Sequence, residues 1–128
     1  MIFTVLDIMS KKTLVIGASE DSTRYSYLAM NRLQSKGHEV VAVGKKEGNV
    51  NGIAIEKEHK AFKDIDTVTL YINPRIQKEY YDYILSLKPK RVIFNPGTEN
   101  DELYNLLEQN DIKPQEACTL VMLGTGQY

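Results

Sequence analysis

Short apolar runs, each closed by glycine, asparagine or proline, alternate along the chain with longer segments in which apolar residues recur at helical spacing. Thr13 to Ile16 predicts a first strand, and Tyr25 to Lys36 a helix with Leu28, Met30 and Leu33 facing a sheet. Gly37 stops that helix as a residue just past a C-terminus should. His38 to Val43 is rich in β-branched residues and reads as a buried second strand ended by Gly44. Lys45 to Gly52 reads as a loop, Ile53 to Ile55 as a short extended piece, and Lys60 to Lys63 as a weak helical turn. Thr67 to Ile72 predicts a third strand, with Pro74 in the first turn of a helix reaching Leu87 and Pro89 marking its exit. Arg91 to Phe94 predicts a fourth strand, Asn95 to Thr98 a turn, and a helix capped by Thr98 or Asn100 runs to Asn110. Ile112 to Gln115 reads as a short fifth strand. Cys118 to Leu123 is too short for periodicity to choose between helix and strand, and Gly124 to Tyr128 has the composition of a flexible tail.

Strands alternating with helices in this way predict an α/β fold, a doubly wound and mostly parallel sheet of about five strands with helices on both faces. Ligands of such sheets bind outside the carboxyl ends of the strands. The segments that reach that edge are Gly17 to Ser26, Gly44 to Lys46, Asn73 to Ile76, and Asn95 to Glu99.

A length of 128 residues fits a single domain with one core. Residues 1–10 read as an N-terminal extension to it, either an upstream segment or a misplaced start ahead of Met9, and Asp7 and the lack of a basic flank argue against a leader or anchor. Charged residues make up 26% of the chain, but the formal net charge is −1, so no overall field draws it to nucleic acid or to an anionic membrane. Cys118 is the single cysteine; intramolecular disulfides and cysteine-rich zinc sites are excluded, and a reducing, cytoplasmic location is expected.

The segment Thr13 to Tyr27 carries the most chemical information. A buried strand breaks at Gly17, two small residues follow, and a helix then presents unpaired N–H groups at its positive end, which is where α/β proteins hold phosphate. Ser19 and Ser22 depart from the Gly-x-Gly-x-x-Gly pattern, and no Gly-Lys-Ser/Thr follows, so an ordinary tight turn remains the plain alternative. NAD-binding members of this architecture place Asp or Glu after the second strand to hold the ribose hydroxyls. This chain has Gly44-Lys45-Lys46 there. Two lysines favour a further phosphate, as in coenzyme A (3′) or NADP (2′); a solvated pair on a loop is the alternative.

With these loops the chain resembles, over residues 12–123, the small stand-alone CoA-binding proteins related to the nucleotide-binding domain of the succinyl-CoA synthetase α subunit. The resemblance is carried by the Gly17-Ala18-Ser19 turn, Arg24-Tyr25-Ser26 at the helix start, the Gly44-Lys45-Lys46 loop, the Asn73-Pro74 loop and the Asn95-Pro96-Gly97 turn. It implies a Rossmann-like domain in which Gly17, Ala18, Ser19, Arg24 and Ser26 line the pyrophosphate. Lys45 or Lys46 would approach the adenosine end, and the Asn73-Pro74 loop would cover the pantetheine or adenine. Coenzyme A or an acyl-CoA is thus the expected ligand, with NADP as the alternative.

Catalytic machinery is thin. The synthetase reaction uses a phosphohistidine in another domain, and His38 and His59 have no second ligand or base placed beside them by spacing. Cys118 could exchange with the thiol of CoA if its thiolate were stabilised, or be an inert packed residue. Arg24 could reach phosphate or pair at the surface. Tyr80-Tyr81-Asp82-Tyr83 packs the helix layer or, in the sharper reading, forms a homodimer face. The expected function is non-catalytic binding of CoA or an acyl-CoA, as carrier, sensor or regulator. The rivals are an NADP- or other nucleotide-binding regulatory module, an enzyme acting on a CoA thioester through Cys118 or an acidic side chain, and a protein-interaction module.

Overall fold

The computed structural model describes residues 10–128, so the extension read over residues 1–10 lies, Ser10 apart, outside the described residues. Strand β1 (Thr13–Ile16) leads through helix α1 (Tyr25–Ser35) to β2 (Val40–Val43), followed by β3 (Gly48–Val50), β4 (Ile53–Glu56) and β5 (Thr67–Leu70). Then come α2 (Pro74–Gln77), a 3₁₀ turn (Lys78–Tyr80), α3 (Tyr81–Leu87), β6 (Arg91–Phe94), α4 (Asp101–Gln109), β7 (Lys113–Glu116) and α5 (Thr119–Gly124). The strands form one sheet in the order β3-β4-β2-β1-β5-β6-β7. All neighbours pair parallel except β3 and β4, which are antiparallel. β1 is central: Thr13 pairs with Val40 of β2 on one side and Thr67 of β5 on the other, so the strand order switches direction at its carboxyl end.

Alternation along the strands divides the core in two. Leu14, Ile16, Val68, Leu70, Val92 and Phe94 face Ile84 of α3 and Leu103 and Leu107 of α4. Val15, Ala42 and Ile55 face Met30 and Leu33 of α1 and Leu123 of α5. Both faces of the sheet are therefore covered, as a parallel sheet requires. No helix among the described residues is long and apolar enough to cross a membrane.

The sheet has seven strands where about five were expected. The two further strands are β4, formed by the short extended piece at Ile53 to Ile55, and β3, which lies in the Gly- and Asn-rich segment read as a loop. There Asn51 (φ 49°) and Gly52 (φ 85°) make a two-residue turn of the left-handed kind that suits hairpins, and it folds β3 back on β4. Lys60 to Lys63 is not helical; Tyr83 Oη donates to the Lys60 carbonyl at 2.5 Å, and His59 stacks against Tyr80 and Tyr83 at 4.5 and 4.6 Å between ring centres. Leu28 is 38% exposed instead of facing the sheet, because Ser26, Ala29, Met30 and Leu33 make the inner face of α1.

The helix expected to run unbroken from Pro74 to Leu87 tightens at Lys78–Tyr80. With about three residues per turn, this tightening stacks Gln77, Tyr80 and Tyr83 on one face, and all three are buried. Of the run Cys118 to Leu123, Thr119 onward is helical, within α5, and Cys118 is the extended residue before it. The supposed tail is docked. Tyr128 Oη lies 2.6 Å from Thr13 Oγ1, its ring sits 4.4 Å from the Arg91 guanidinium and 5.0 Å from the His38 ring, and Lys11 Nζ donates to its carbonyl. A terminal aromatic supplies the burial that the glycines before it lack.

Two backbone-scale constraints can be tested. A Cβ at Gly44 would stand 2.4 Å from the Ala18 carbonyl oxygen and 2.9 Å from Ile55 Cγ2, so Gly44→Ala is expected to cost about 1–3 kcal/mol of stability, read as a lower urea midpoint. His38 Nδ1 accepts from the Lys11 N–H at 2.9 Å, and burial, then Lys11 and Arg91, push its pKa below 6.5, with Asp66 opposing. Folding therefore favours the neutral ring, and this contribution, complete above pH 6.5, is lost as pH falls toward the lowered folded value. The urea midpoint should drop between pH 7.5 and about 5.5, and His38→Gln should flatten that drop.

Candidate functional site

The carboxyl ends of β1, β2, β5 and β6 bring the expected loops to one edge. Val43, the last residue of β2, accepts through its carbonyl from both Gly17 N–H (3.0 Å) and Ala18 N–H (3.1 Å). Those two amides are thus spent on the sheet, and Gly17 and Ala18 contribute to the edge by shape. Gly17 has φ 93°, and a Cβ there would meet the Tyr71 carbonyl oxygen at 2.9 Å, so only glycine lets the turn pass this close to the end of β5.

Beyond Ala18 the turn is organised by its own polar groups. Ser19 Oγ accepts from the Asp21 N–H at 3.0 Å, and Asp21 Oδ1 accepts from the Thr23 N–H (2.9 Å) and hydroxyl (2.7 Å). The Thr23 hydroxyl, its backbone N–H and the Arg24 charge hold the Asp21 carboxyl below its usual pKa. Arg24 precedes α1 without capping it, and no acidic residue occupies the first turn. The N–H groups of Tyr25, Ser26 and Tyr27 have no partner among the described residues. Ser26 is buried, Tyr25 projects at 71% exposure, and Arg24 is exposed, with Asp21 3.8 Å away. Helices α2 and α4 start differently: Asn73 Oδ1 accepts from Ile76 N–H, and Asn100 Oδ1 accepts from Glu102 and Leu103 N–H. Unlike those of α2 and α4, the start of α1 carries no capping side chain and is open to an anion.

Lys45 and Lys46 follow Gly44, are exposed, and have no carboxylate within 4.0 Å among the described residues. Gly44 presses on Ala18, so the lysines leave the sheet directly beside the β1–α1 turn. On the other flank, Asn73 is exposed with its carboxamide used as the α2 cap, and Pro74 fills the first helical position. Asn95 is 3% exposed, and its side chain is wholly engaged. Its Nδ2 donates to Thr69 Oγ1 (2.6 Å) and the Leu70 carbonyl (2.9 Å), and its Oδ1 accepts from Thr119 N–H (2.9 Å). Pro96 and Gly97 are exposed, with Gly97 N–H donating to Glu99 at 2.8 Å. The structure thus joins Gly17–Ser19, Arg24–Ser26 and Gly44–Lys46 into one patch, while Asn95 acts inward as a tie between β5, β6 and α5.

Three residues at this edge escaped sequence reasoning. Gln77 is fully buried; its Nε2 donates to the Ile72 and Thr98 carbonyls (2.8 and 2.7 Å) and its Oε1 accepts from Asn100 (2.9 Å), tying the loops after β5 and β6 together. A polar residue within the apolar stripe that includes Tyr80 and Ile84 was the available signal. Tyr71 lies beside Gly17 with a buried hydroxyl lacking a hydrogen-bond partner; burial pushes its pKa up to about 12, with the neighbouring Thr69 and Thr119 hydroxyls opposing. Glu20 reaches across to Gly48 and Asn49, and nothing local announces a partner 29 positions away. Cys118 is half-buried just before α5, next to Thr119. Along β2 and β4 an open groove of about 310 Å³ includes Glu39 and Glu56 in its lining, charges that disfavour an anion.

Comparison with known proteins gives the fold and the family. No curated protein sequence matches the chain. A crystal structure of an uncharacterized protein is 56% identical, covers 93% of this chain and 98% of its own, and superposes with a TM-score of 0.91. A hypothetical protein from Pyrococcus horikoshii OT3 is 23% identical over 92% of this chain and 84% of its own (TM-score 0.83). A protein from Thermus thermophilus is 18% identical over 93% and 91% (TM-score 0.82); these last two likenesses establish the fold. The family model described as the CoA binding domain matches residues 11–124, and the chain belongs to that family.

Proposed function

We propose that this chain binds coenzyme A or an acyl-CoA at the carboxyl edge of its sheet, without catalysing a reaction, and serves as a carrier, sensor or regulator. The observation that carries the reading is the juxtaposition of the uncapped α1 N-terminus with the unpaired Lys45–Lys46 pair, within a family defined by CoA binding. The open N–H groups of Tyr25 to Tyr27 take the pyrophosphate, with Ser19 and Arg24 beside them. The two lysines take the 3′-phosphate of the ribose. Gly17 and Ala18 keep the turn low enough for the ligand backbone to pass, and the Asn73-Pro74 loop borders the pantetheine.

Calorimetric titration with CoA, dephospho-CoA, NADP and NAD at one moderate salt concentration tests this. CoA is expected to bind more tightly than dephospho-CoA, and both more tightly than NAD; a preference for NADP over CoA would refute the ligand assignment. Reversing both charges, Lys45→Glu with Lys46→Glu, should weaken CoA about tenfold more than dephospho-CoA. Equal losses would take the lysines away from the 3′-phosphate.

A further inference from the structure

Glu20 belongs to the β1–α1 turn, yet its carboxylate serves another segment. Its Oε2 accepts from the Asn49 N–H at 3.0 Å, at the start of β3. The side chain lies over Gly48 so closely that a Cβ there would stand 2.5 Å from Glu20 Cδ and 2.7 Å from its Cγ. Gly48 does not have the positive φ found at Gly17 or Gly52, so its own backbone does not demand glycine. What leaves no room for a side chain is Glu20.

Gly44 is the second half of the same arrangement. It seats on the Ala18 carbonyl, two residues before Glu20, and it begins the segment that Gly48 ends. Lys45 and Lys46 are therefore carried on a short arm fastened at both ends to the β1–α1 turn, at Gly44 by backbone contact and at Gly48–Asn49 by the Glu20 carboxylate. A lysine on a free loop pays in entropy to meet a phosphate, and fastening the arm removes part of that cost.

We infer that Glu20 is a positioning residue for ligand specificity: it fixes the Lys45–Lys46 arm against the phosphate turn, so that this chain discriminates a ribose-phosphorylated nucleotide from its unphosphorylated form. The inference rests on the CoA reading above and adds a residue that would itself repel the ligand. That repulsion gives the two roles opposite signs. As a bare charge, Glu20 weakens every anion at the edge, and its removal tightens CoA and dephospho-CoA alike. As a fastener, its removal costs the preference between them.

The test compares Glu20→Ala and Glu20→Gln by titration with CoA and dephospho-CoA, together with hydrogen exchange at the Asn49 amide. Glu20→Ala should lower the CoA over dephospho-CoA preference about fivefold to tenfold and speed Asn49 exchange, whereas Glu20→Gln, which keeps an oxygen acceptor, should retain most of both. Gly48→Ala, which drives the carboxylate off its seat, should reproduce the alanine result. A wild-type preference left intact in Glu20→Ala, or an unchanged Asn49 amide, overturns the inference and leaves the CoA reading standing. A wild-type chain that binds CoA and dephospho-CoA equally overturns the inference together with the assignment of Lys45 and Lys46 to the 3′-phosphate.

Discussion

The carbonyl of Val43 is the point on which this edge depends. It ends β2, and it receives the N–H groups of both Gly17 and Ala18 where β1 gives way to the turn. One acceptor thereby closes two donors that a sharp turn would otherwise strand. The next residue, Gly44, must then lie against the Ala18 carbonyl, where any side chain would intrude. From this seam follow the angle at which the turn leaves the sheet, the place where α1 begins and the path of the lysine arm. A shift there displaces all three together.

A second, largely buried set of bonds stabilises the other half of the edge. Asn95 satisfies Thr69, Leu70 and Thr119, and the Thr69 and Thr119 hydroxyls meet at 2.8 Å. Gln77 does the same for Ile72, Thr98 and Asn100. Removing one partner from such a network leaves another buried and unpaired, so these amides hold β5, β6, α2 and α5 in fixed relation. Polar residues at the carboxyl ends of strands are commonly read as ligand contacts. Here those side chains are fully engaged within the protein, whereas the first N–H groups of α1 and the Lys45–Lys46 ammonium groups have no partner among the described residues.

How much of this the sequence disclosed depended on the range of the interaction. β1, α1, β6 and the Asn100-capped helix were legible because local propensity, spacing and capping agree with the fold. The Asn51-Gly52 turn was also written in the chain, but β3 is so short and polar that its signal was read as a loop. The glycines before Tyr128 predict a flexible tail, whereas its aromatic ring docks it. The phosphate turn and the lysines were visible as residue types in a known order. Their fastening was not, because Glu20 meets Asn49 and Gln77 meets Thr98 only once the sheet has brought distant segments together.

The chain's overall charge makes the arrangement at α1 more telling. A protein with a formal net charge of −1 has no general attraction for a ligand bearing several phosphates, so affinity must come from local groups. Leaving a helix without an N-cap costs about 1 kcal/mol, and α2 and α4, which begin at the same edge, avoid that cost with Asn73 and Asn100. The first turn of α4 also carries Asp101 and Glu102, while that of α1 carries no acid at all. A carboxylate or a capping side chain at α1 would stabilise the empty protein by filling the place an anion needs. Under the proposed CoA reading, the open start of α1, the glycine seam beneath it and the lysines beside it meet one requirement, which is that stabilisation of this helix end be deferred until a phosphate arrives.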